Sequence, residues 1–427
     1  MNEIKVKDMR GKKLAIIVGG GPAPGINSVI SSVTIEAIKK GASVIGVYEG
    51  FSYLEKGKKN VEFLTIPKVS RIHTMGGSIL RTSRANPTKS EEKLKKVVET
   101  LVEMDVNFLV TIGGDDTAFS SRSVTEYAQK MGYDMNCAHV PKTIDNDLRL
   151  PQGIPPFGYE TARGEGARIL STIMEDARTS GRWFIVTAMG RTAGHLALGI
   201  GKAAAATLTL IPEEFKAKGK LTIENLIDTI TGTVIKRYAD GNPYGVIVLA
   251  EGFFEHFDVE VVEKLVGHEL PRDEHGHLRL ADLNMGGIIK EEVKKRLARF
   301  GLKPTIVDQK LGYELRCVDP CPYDVEYTRN LGYGAVDYLS KGGSGALISI
   351  QHDELVPIKF EDIKNPETGK TKVRLVDTNS LSFKIALEYM IRLKKTDFAD
   401  DEKLARLAQA AGVSSEEFKA EFEHVVM

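Results

Sequence analysis

The sequence has little cysteine and no long hydrophobic run. Its three cysteines, Cys137, Cys317 and Cys321, are an odd number without a CxxC pair, so reduced thiols are expected rather than a disulfide framework. No stretch of about 18 apolar residues is present, and residues 1–13 are charged and lack an apolar signal region. These absences favour a cytoplasmic protein that does not enter a membrane.

An excess of one charge sign is also lacking. Lys and Arg together number 58, as do Asp and Glu, so no overall field would attract nucleic acid or a membrane surface. The hydrophobic fraction of 42% and the charged fraction of 27% are those of an ordinary globular protein. With 427 residues, the chain is long enough for two or three domains with sizeable cores.

Predicted strands and helices alternate along the chain, which is typical of α/β proteins. Leu14–Val18 is an apolar strand, and the segment after it places Ile26, Val29 and Val33 on one helical face before a second strand at Val44–Val47. Further strands are predicted at Trp183–Ala188, Leu208–Ile211, Tyr244–Ala250 and Pro304–Asp308, with a hairpin formed by Ala346–Ile350 and Leu355–Ile358. Further helices are predicted at Glu91–Glu103, Gly158–Arg178, Thr222–Lys236, Asn284–Phe300 and Arg329–Leu339, and a last helix at the capping box Ser414–Glu417.

The first βαβ unit contains a glycine-rich turn, Gly19–Gly25, of the kind that points backbone N–H groups and a helix N-terminus at an anion. It is not a Walker A loop, because Ile26 and Asn27 stand where Lys and Ser or Thr are required. It also misses the dinucleotide fingerprint, because Pro24 occupies the position of the third glycine, which argues against a nicotinamide oxidoreductase. A phosphate cradle of another type is the better prediction.

Two acidic clusters follow predicted strands, in the segments Val110–Thr117 and Val140–Asp147. In open α/β sheets, ligands bind outside the carboxyl ends of the strands, so both clusters should face one crevice. Solvated turns are the alternative interpretation. The clusters contain four carboxylates and one lysine, a set that needs a cation and a phosphate-like partner: Asp115, Asp116, Asp145, Asp147 and Lys142.

Two further loops carry arginines beside small residues. Gly76–Arg84 contains Arg81 and Arg84, and Met189–His195, after a predicted strand, contains Arg191. Guanidinium groups in such loops suit contact with phosphate.

In residue type and order, these motifs resemble those of the phosphofructokinase family. The similarity extends from about Lys13 to Leu339 and rests on six motifs: Gly20–Gly25, Gly113–Asp116, Pro141–Asp147, Met189–Arg191, Ala250–Gly252 and Gly312–Arg316. The resemblance implies an α/β fold of two similar Rossmann-like lobes with mostly parallel central sheets, followed by a helical C-terminal extension. The expected donor lobe is residues 1–155, completed by part of 318–360. The expected sugar-phosphate lobe is 156–317, and the extension is 361–427.

The resemblance implies an enzyme that reversibly phosphorylates the 1-hydroxyl of fructose 6-phosphate to give fructose 1,6-bisphosphate. Family members that use ATP have glycine where this chain has Asp116 and Lys142, and members with the Asp and Lys pair use pyrophosphate. The Asp116 side chain is expected to fill the space of an ATP α-phosphate, and Lys142 to hold the free end of pyrophosphate. The alternatives are an ATP-dependent phosphofructokinase and a non-catalytic sugar-phosphate sensor.

Residue roles are also implied by the resemblance. Asp145 would be the general base that accepts the proton of the sugar hydroxyl, Asp115 would bind Mg²⁺, and Arg191 would neutralise charge on the transferred group. Catalytic roles are implied for Asp145, Asp116, Lys142 and Arg191, and pyrophosphate binding for Gly20, Gly21, Arg84 and Lys142. Substrate binding is implied for Thr143, Asp147, Arg182, Met189, Gly190, Arg191, Glu251, Tyr313 and Arg316.

Arg182 matches a family position that reaches the sugar phosphate from a neighbouring subunit. We therefore expect a homo-oligomer, a dimer or a tetramer, with shared active sites and with fructose 6-phosphate and pyrophosphate as its small-molecule partners. Lys310 is the candidate to replace a second arginine that family members supply in the same way.

Overall fold

The computed structural model describes residues 7–148, 150–151, 153–267, 269, 284–363 and 373–426. The chain divides into two compact units. Unit 1 comprises Met1–Ala162 and Tyr313–Arg374, and unit 2 comprises Arg163–Gly312 and Leu375–Met427. The expected domain boundaries lie at 155/156, 317/318 and 360/361, and the chain passes between the units at 162/163, 312/313 and 374/375.

The described residues form thirteen strands and seventeen α-helices. The strands are β1 (Lys13–Val18), β2 (Ser43–Val47), β3 (Val61–Leu64), β4 (Val106–Gly113), β5 (Asn136–Pro141), β6 (Trp183–Ala188), β7 (Leu208–Leu210), β8 (Gly245–Ala250), β9 (Ile306–Leu311), β10 (Ala346–Leu347), β11 (Ile350–Gln351), β12 (Glu354–Leu355) and β13 (Ile358–Lys359). The helices are α1 (Ile26–Lys39), α2 (Ile66–Val69), α3 (Glu91–Glu103), α4 (Asp115–Lys130), α5 (Tyr159–Ser180), α6 (His195–Ala204), α7 (Pro212–Ala217), α8 (Ile223–Ala239), α9 (Val259–Val266), α10 (Met285–Ala298), α11 (Tyr313–Arg316), α12 (Pro322–Ser340), α13 (Phe360–Ile363), α14 (Leu381–Tyr389), α15 (Lys395–Ala399), α16 (Asp401–Ala411) and α17 (Ser415–Phe422).

Unit 1 is built on a mainly parallel sheet with the strand order β13-β10-β5-β4-β1-β2-β3. The five inner strands run parallel, whereas β3 and β13 pair antiparallel at the two edges. Helices cover both faces: Leu14 and Ile16 of β1 share one core with α1 and α12, and Ala15 and Ile17 share the other with α3 and α4. Burial on both faces explains why β1 is apolar throughout rather than alternating.

Unit 2 contains a parallel sheet with the order β7-β8-β6-β9. All six residues of β6 are buried. The C-terminal helices α14–α17 belong to this unit, where Lys236 Nζ lies 2.5 Å from Asp397 and Arg296 Nη2 lies 2.5 Å from Glu421. Among the described helices, none is both long enough and apolar enough to cross a bilayer.

The predicted α/β class with mostly parallel sheets is confirmed. Helix Glu91–Glu103 and strand Trp183–Ala188 form with the predicted bounds. Ser414 and Glu417 form the predicted capping box, in which each side chain accepts a hydrogen bond from the other residue's backbone N–H.

Other predicted elements were wrong in extent. The strand predicted at Pro304–Asp308 is β9, which continues through polar residues to Leu311, and the helix predicted at Arg329–Leu339 is α12, which starts at Pro322. The predicted hairpin is confirmed: β10 pairs with β13 and β11 pairs with β12 in one antiparallel register, which extends to Lys359. Helix α4 was not predicted, because its sequence is rich in Asp, Ser and Thr and lacks a clear apolar face.

The connections of unit 1 place a topological switch between β1 and β4. β1 leads through α1 to β2 on one side, and β4 leads through α4 to β5 on the other. The Gly19 N–H donates to the Ile112 carbonyl over 2.9 Å, and the Lys142 N–H donates to the Gly113 carbonyl over 2.8 Å. The turns after β1, β4 and β5 are therefore held side by side at the edge where such sheets bind ligands.

Thr117, in the first turn of α4, packs directly against the turns that follow β1 and β4. A Cβ built on Gly19 would lie 2.4 Å from Thr117 Oγ1, and a Cβ built on Gly113 would lie 2.4 Å from the same atom. Neither distance can accommodate a side chain, so both glycines are required by the close approach rather than by their backbone conformation.

We predict that Gly19→Ala lowers the free energy of unfolding by about 1–3 kcal/mol through this overlap. Adding Thr117→Ala should recover part of the loss, because it removes Oγ1 and Cγ2 and leaves the residue 117 Cβ, at 3.2 Å, as the nearest of its atoms. Urea unfolding of the two single variants and the double variant measures this recovery as a coupling free energy.

Gly113→Ala is the matched control. Its new methyl group would stay 2.5 Å from the Cβ of residue 117 even after Thr117→Ala, so little recovery is expected. Equal coupling for both glycines, or none for Gly19, would contradict this account of the packing.

Candidate active site

The glycine turn after β1 is held by the loop that precedes α3. Gly20 has a φ of +81°, donates its N–H to the Ser83 carbonyl over 2.8 Å and accepts a 2.7 Å hydrogen bond from Thr82 Oγ1. Arg84 follows on the same loop with an exposed side chain. The structure thus brings the loop of Arg84 to Gly20 and Gly21. The Gly20 N–H is engaged within the protein, so donor binding by this residue stays a prediction.

Lys142, at the end of β5, lies beside this turn with 5% of its surface exposed. Its ammonium donates a hydrogen bond to the Gly21 carbonyl, and a Cβ built on Gly20 would lie 3.4 Å from Nζ. Burial, together with the positive charge of Arg316, lowers the pKa of Lys142 to about 8, and Asp145 opposes the shift. An anion bound here would favour the charged ammonium and raise that pKa again.

Helix α11 places Arg316 at the same turn. A Cβ built on Gly21 would lie 3.7 Å from Arg316 Cζ, and this carbon is 5.2 Å from the centre of the Tyr313 ring. The resemblance implied sugar binding for both residues. In the structure both belong to unit 1, and Arg316 lies next to the residues expected to bind pyrophosphate. The sugar contact of Tyr313, which is 73% exposed, stays a prediction.

Asp115 and Asp116 form the first turn of α4, directly after β4. Carboxylates are favourable at a helix N-terminus because the macrodipole is positive there. Asp115 is partly exposed and Asp116 is exposed. In the part of the chain that the structure describes, no group of three or more His, Cys, Asp or Glu side chains encloses a metal site.

The loop after β5 carries Thr143, Asp145 and Asp147. The Asp145 N–H donates to Thr143 Oγ1 over 3.0 Å, and Asn146 adopts a left-handed conformation with a φ of +56°. Burial raises the pKa of Asp147, whereas hydrogen bonding from Thr143 and the positive charges of Arg374 and Lys142 oppose the rise. The pKa of Asp147 is raised overall, and the nearby positive groups limit that rise.

Sequence reasoning missed a histidine that supports these turns. His139 of β5 is buried, its Nδ1 lies 2.8 Å from Thr111 Oγ1, and its Nε2 lies 3.0 Å from the Gly113 carbonyl. Burial lowers its pKa to about 3, so the ring is neutral. Because the Gly113 carbonyl can only accept, Nε2 carries the proton and Nδ1 accepts from Thr111. No local sequence signal marks this role.

In unit 2, the predicted sugar-binding residues meet at the carboxyl ends of neighbouring strands. Ala188 of β6 is in register with Ala250 of β8 and Leu311 of β9, so the residues that follow these positions share one edge. Glu251 Oε1 lies 2.9 Å from Lys310 Nζ. Met189 is buried, with its Cε atom 2.7 Å from a Cβ built on Gly312.

Gly190 and Arg191 complete this edge. Gly190 has a φ of +142°, and a Cβ built on Gly252 would lie 2.8 Å from the Arg191 carbonyl oxygen. The Arg191 side chain is 84% exposed, and its Nε donates to Glu255 over 2.8 Å. The contact of this guanidinium with the transferred phosphoryl group stays a prediction.

Arg182 lies at the other end of β6. It precedes Trp183, so it is separated from Met189 by the whole strand, roughly 20 Å at about 3.3 Å per residue. Its side chain is exposed. The structure therefore does not bring Arg182 to the other predicted sugar-binding residues of unit 2. This is the arrangement expected of a residue that serves a neighbouring subunit, and that role stays a prediction.

Comparison with known proteins identifies the family. The family described as Phosphofructokinase matches residues 13–339. A pyrophosphate--fructose 6-phosphate 1-phosphotransferase from Naegleria fowleri is 52% identical over 97% of this chain and 95% of its own length. A protein of the same name from Thermotoga maritima is 50% identical over 97% of this chain and 98% of its own length.

A solved structure shows the same fold at low sequence identity. A pyrophosphate-dependent phosphofructokinase from Marinobacter aquaeolei superposes with a TM-score of 0.63 at 16% identity, covering 94% of this chain and 92% of that one. The family model matches most of the sequence, and two relatives are about 50% identical to it over nearly its full length. This chain therefore belongs to the phosphofructokinase family.

Proposed function

We propose that this protein reversibly transfers a phosphoryl group from pyrophosphate to the 1-hydroxyl of fructose 6-phosphate, giving fructose 1,6-bisphosphate and phosphate. One observation carries the choice of donor: the buried ammonium of Lys142 is bonded to the Gly21 carbonyl and accompanied by Arg316. Such a concentration of positive charge suits a small polyanion. The two relatives at about half identity carry this activity in their names.

Positioning and charge neutralisation account for most of the catalysis of phosphoryl transfer. Lys142 and Arg84 are proposed to bind pyrophosphate with the backbone at Gly20 and Gly21. Arg316 lies close enough to this turn to join them. Arg191 is proposed to neutralise charge on the transferred group, for which its exposed guanidinium is suited.

Asp145 is proposed as the general base for the sugar hydroxyl. Thr143 would orient the substrate beside it, and its hydroxyl already accepts the Asp145 N–H. Asp147 would support the local charge distribution. Met189, Gly190 and Glu251, which share one sheet edge in unit 2, are proposed to bind the sugar.

The residues present fit a Mg²⁺ ion. Magnesium in phosphoryl-transfer enzymes is held by one or two carboxylates together with substrate phosphates rather than by an all-protein cage. A partly exposed Asp115 in the first turn of α4 meets that requirement. When bound there, the ion would supply charge neutralisation for the pyrophosphate.

The protein is further proposed to act in the cytoplasm as a homo-oligomer, a dimer or a tetramer with shared active sites. The exposed position of Arg182, a full strand length from Met189, supports this arrangement.

We predict that Asp116→Gly, alone and combined with Lys142→Gly, shifts donor selection towards ATP. The change removes the side chain expected to occupy the space of the ATP α-phosphate. The ratio of kcat/KM for ATP to kcat/KM for pyrophosphate should rise by about tenfold or more, which corresponds to about 1.4 kcal/mol. A coupled assay that offers each donor separately measures the ratio.

Asp116→Asn is the matched control, since it removes the charge and keeps the bulk. If bulk excludes ATP, the asparagine variant should keep its preference for pyrophosphate. An unchanged donor ratio in both glycine variants would refute the steric block, and strong activity of the unmodified protein with ATP alone would reject the proposed donor.

We also predict that pyrophosphate use falls as pH rises through about 8. Below this pKa the free enzyme holds Lys142 as a charged ammonium, and above it the group is neutral and loses its attraction for the anion. The kcat/KM for pyrophosphate, which reports free-enzyme ionisations, should therefore show an alkaline limb.

Lys142→Arg and Lys142→Met separate this limb from the ionisation of pyrophosphate itself, which is common to all three proteins. The arginine variant should move the limb to higher pH, and the methionine variant should lower kcat/KM and lack the limb. The same limb in all three proteins would assign it to another group.

A further inference from the structure

Arg374 reaches the predicted catalytic loop from more than two hundred residues farther along the chain. Its backbone N–H donates to the Asp147 carbonyl over 2.8 Å. Its Nε donates to the Asn146 carbonyl over 3.1 Å, its Nη2 donates to Asn146 Oδ1, and its Nη1 donates to the Ile154 carbonyl over 2.9 Å. One arginine thus binds both the backbone and the side chain of the residue between Asp145 and Asp147.

The residue that Arg374 binds has an unusual conformation. Asn146 has a φ of +56°, in the left-handed region that is unfavourable for most residues other than glycine and that asparagine adopts more readily than most. The φ and ψ angles of Asn146 determine where the peptide groups on either side point, and hence how Asp145 and Asp147 are placed relative to each other.

The chemistry of the guanidinium group suits this task. It is planar and presents its N–H groups in fixed directions, so three acceptors bound to it are held in one mutual geometry. Arg374 is partly buried, and burial lowers its pKa, while the negative charge of Asp147 opposes that shift. Its positive charge therefore also favours the ionised form of Asp147.

We propose that Arg374 is a positioning residue, which holds Asn146 in its left-handed conformation and thereby aims the Asp145 carboxylate at the substrate hydroxyl. This inference rests on the proposed function, in which Asp145 is the general base. Arg374 acts through Asn146 and is not placed in contact with a substrate.

Arg374→Ala and Arg374→Lys test this role by steady-state kinetics with pyrophosphate and fructose 6-phosphate. We expect kcat to fall about 10- to 100-fold, as for a misplaced catalytic group, while KM for both substrates changes little. Lysine should restore only a small part of kcat, because a single ammonium cannot satisfy three acceptors with the geometry of the guanidinium.

Chemical rescue separates positioning from a general loss of structure. Millimolar guanidinium should raise kcat of Arg374→Ala, because the free ion can occupy the same three acceptors. Arg178→Ala, which removes an exposed arginine of α5 that pairs with Glu175, is the matched control. It should keep full activity and show no activation by guanidinium.

The outcomes distinguish this inference from the proposed function. If the unmodified protein does not turn over pyrophosphate with fructose 6-phosphate, the proposed function fails. If it does and Arg374→Ala keeps its kcat, or loses activity only through a raised KM, the positioning role is overturned. If the alanine variant does not fold, Arg374→Lys decides, and an unaltered kcat in the lysine variant overturns the role.

Discussion

The site in unit 1 depends on one desolvated charge, the ammonium of Lys142. Lowering its pKa from 10.5 to about 8 corresponds to about 3 kcal/mol by which its surroundings disfavour the charged form. The hydrogen bond to the Gly21 carbonyl and the nearby Asp145 compensate only in part, and Arg316 adds to the cost. The free protein therefore maintains a buried cation, and a polyanion bound beside it would offset part of the cost of that burial.

The backbone turns around Lys142 are closely packed. Thr117 leaves no room for a side chain on either Gly19 or Gly113, and His139 bonds the Gly113 carbonyl from within the sheet. These contacts hold in place the two turns that carry Asp115, after β4, and Lys142, after β5. A phosphate group bound here would be positioned by strand ends and a helix N-terminus rather than by long flexible side chains alone.

The sequence was sufficient to predict the parts of this structure that depend on local periodicity. Helix Glu91–Glu103 and strand Trp183–Ala188 have strong apolar patterns, so their bounds were found directly. Helix α4 was missed because its sequence is rich in Asp, Ser and Thr and lacks a clear apolar face, and β9 was misplaced because its later residues, Asp308 to Lys310, are polar although they pair with β6. In both cases tertiary pairing overrides local preference.

The candidate site residues show the same contrast between local motifs and long-range contacts. Those that lie in compact motifs, such as Asp115 and Lys142, are predicted from the order of their motifs in the sequence. Long-range partners could not, because no spacing rule connects Arg374 to Asn146 or Ser83 to Gly20. Arg316 was found by its motif, but its neighbourhood was not: the motif implied the sugar, and the structure places the guanidinium at the glycine turn.

The size of the proposed donor explains why such long-range support is needed. A nucleotide offers a base and a ribose, whose binding energy can be used to position the reacting phosphates, whereas pyrophosphate offers phosphate oxygens alone. An enzyme that uses pyrophosphate must therefore build its precision into the protein before the donor arrives. The hydrogen bonds of Arg374 to Asn146, and those of Thr82 and Ser83 to Gly20, are contacts of this kind, because both sets hold the backbone of a loop that is proposed to bind substrate. Because a small donor makes few contacts, its binding cannot order mobile loops, and the loops must already be ordered in the free protein.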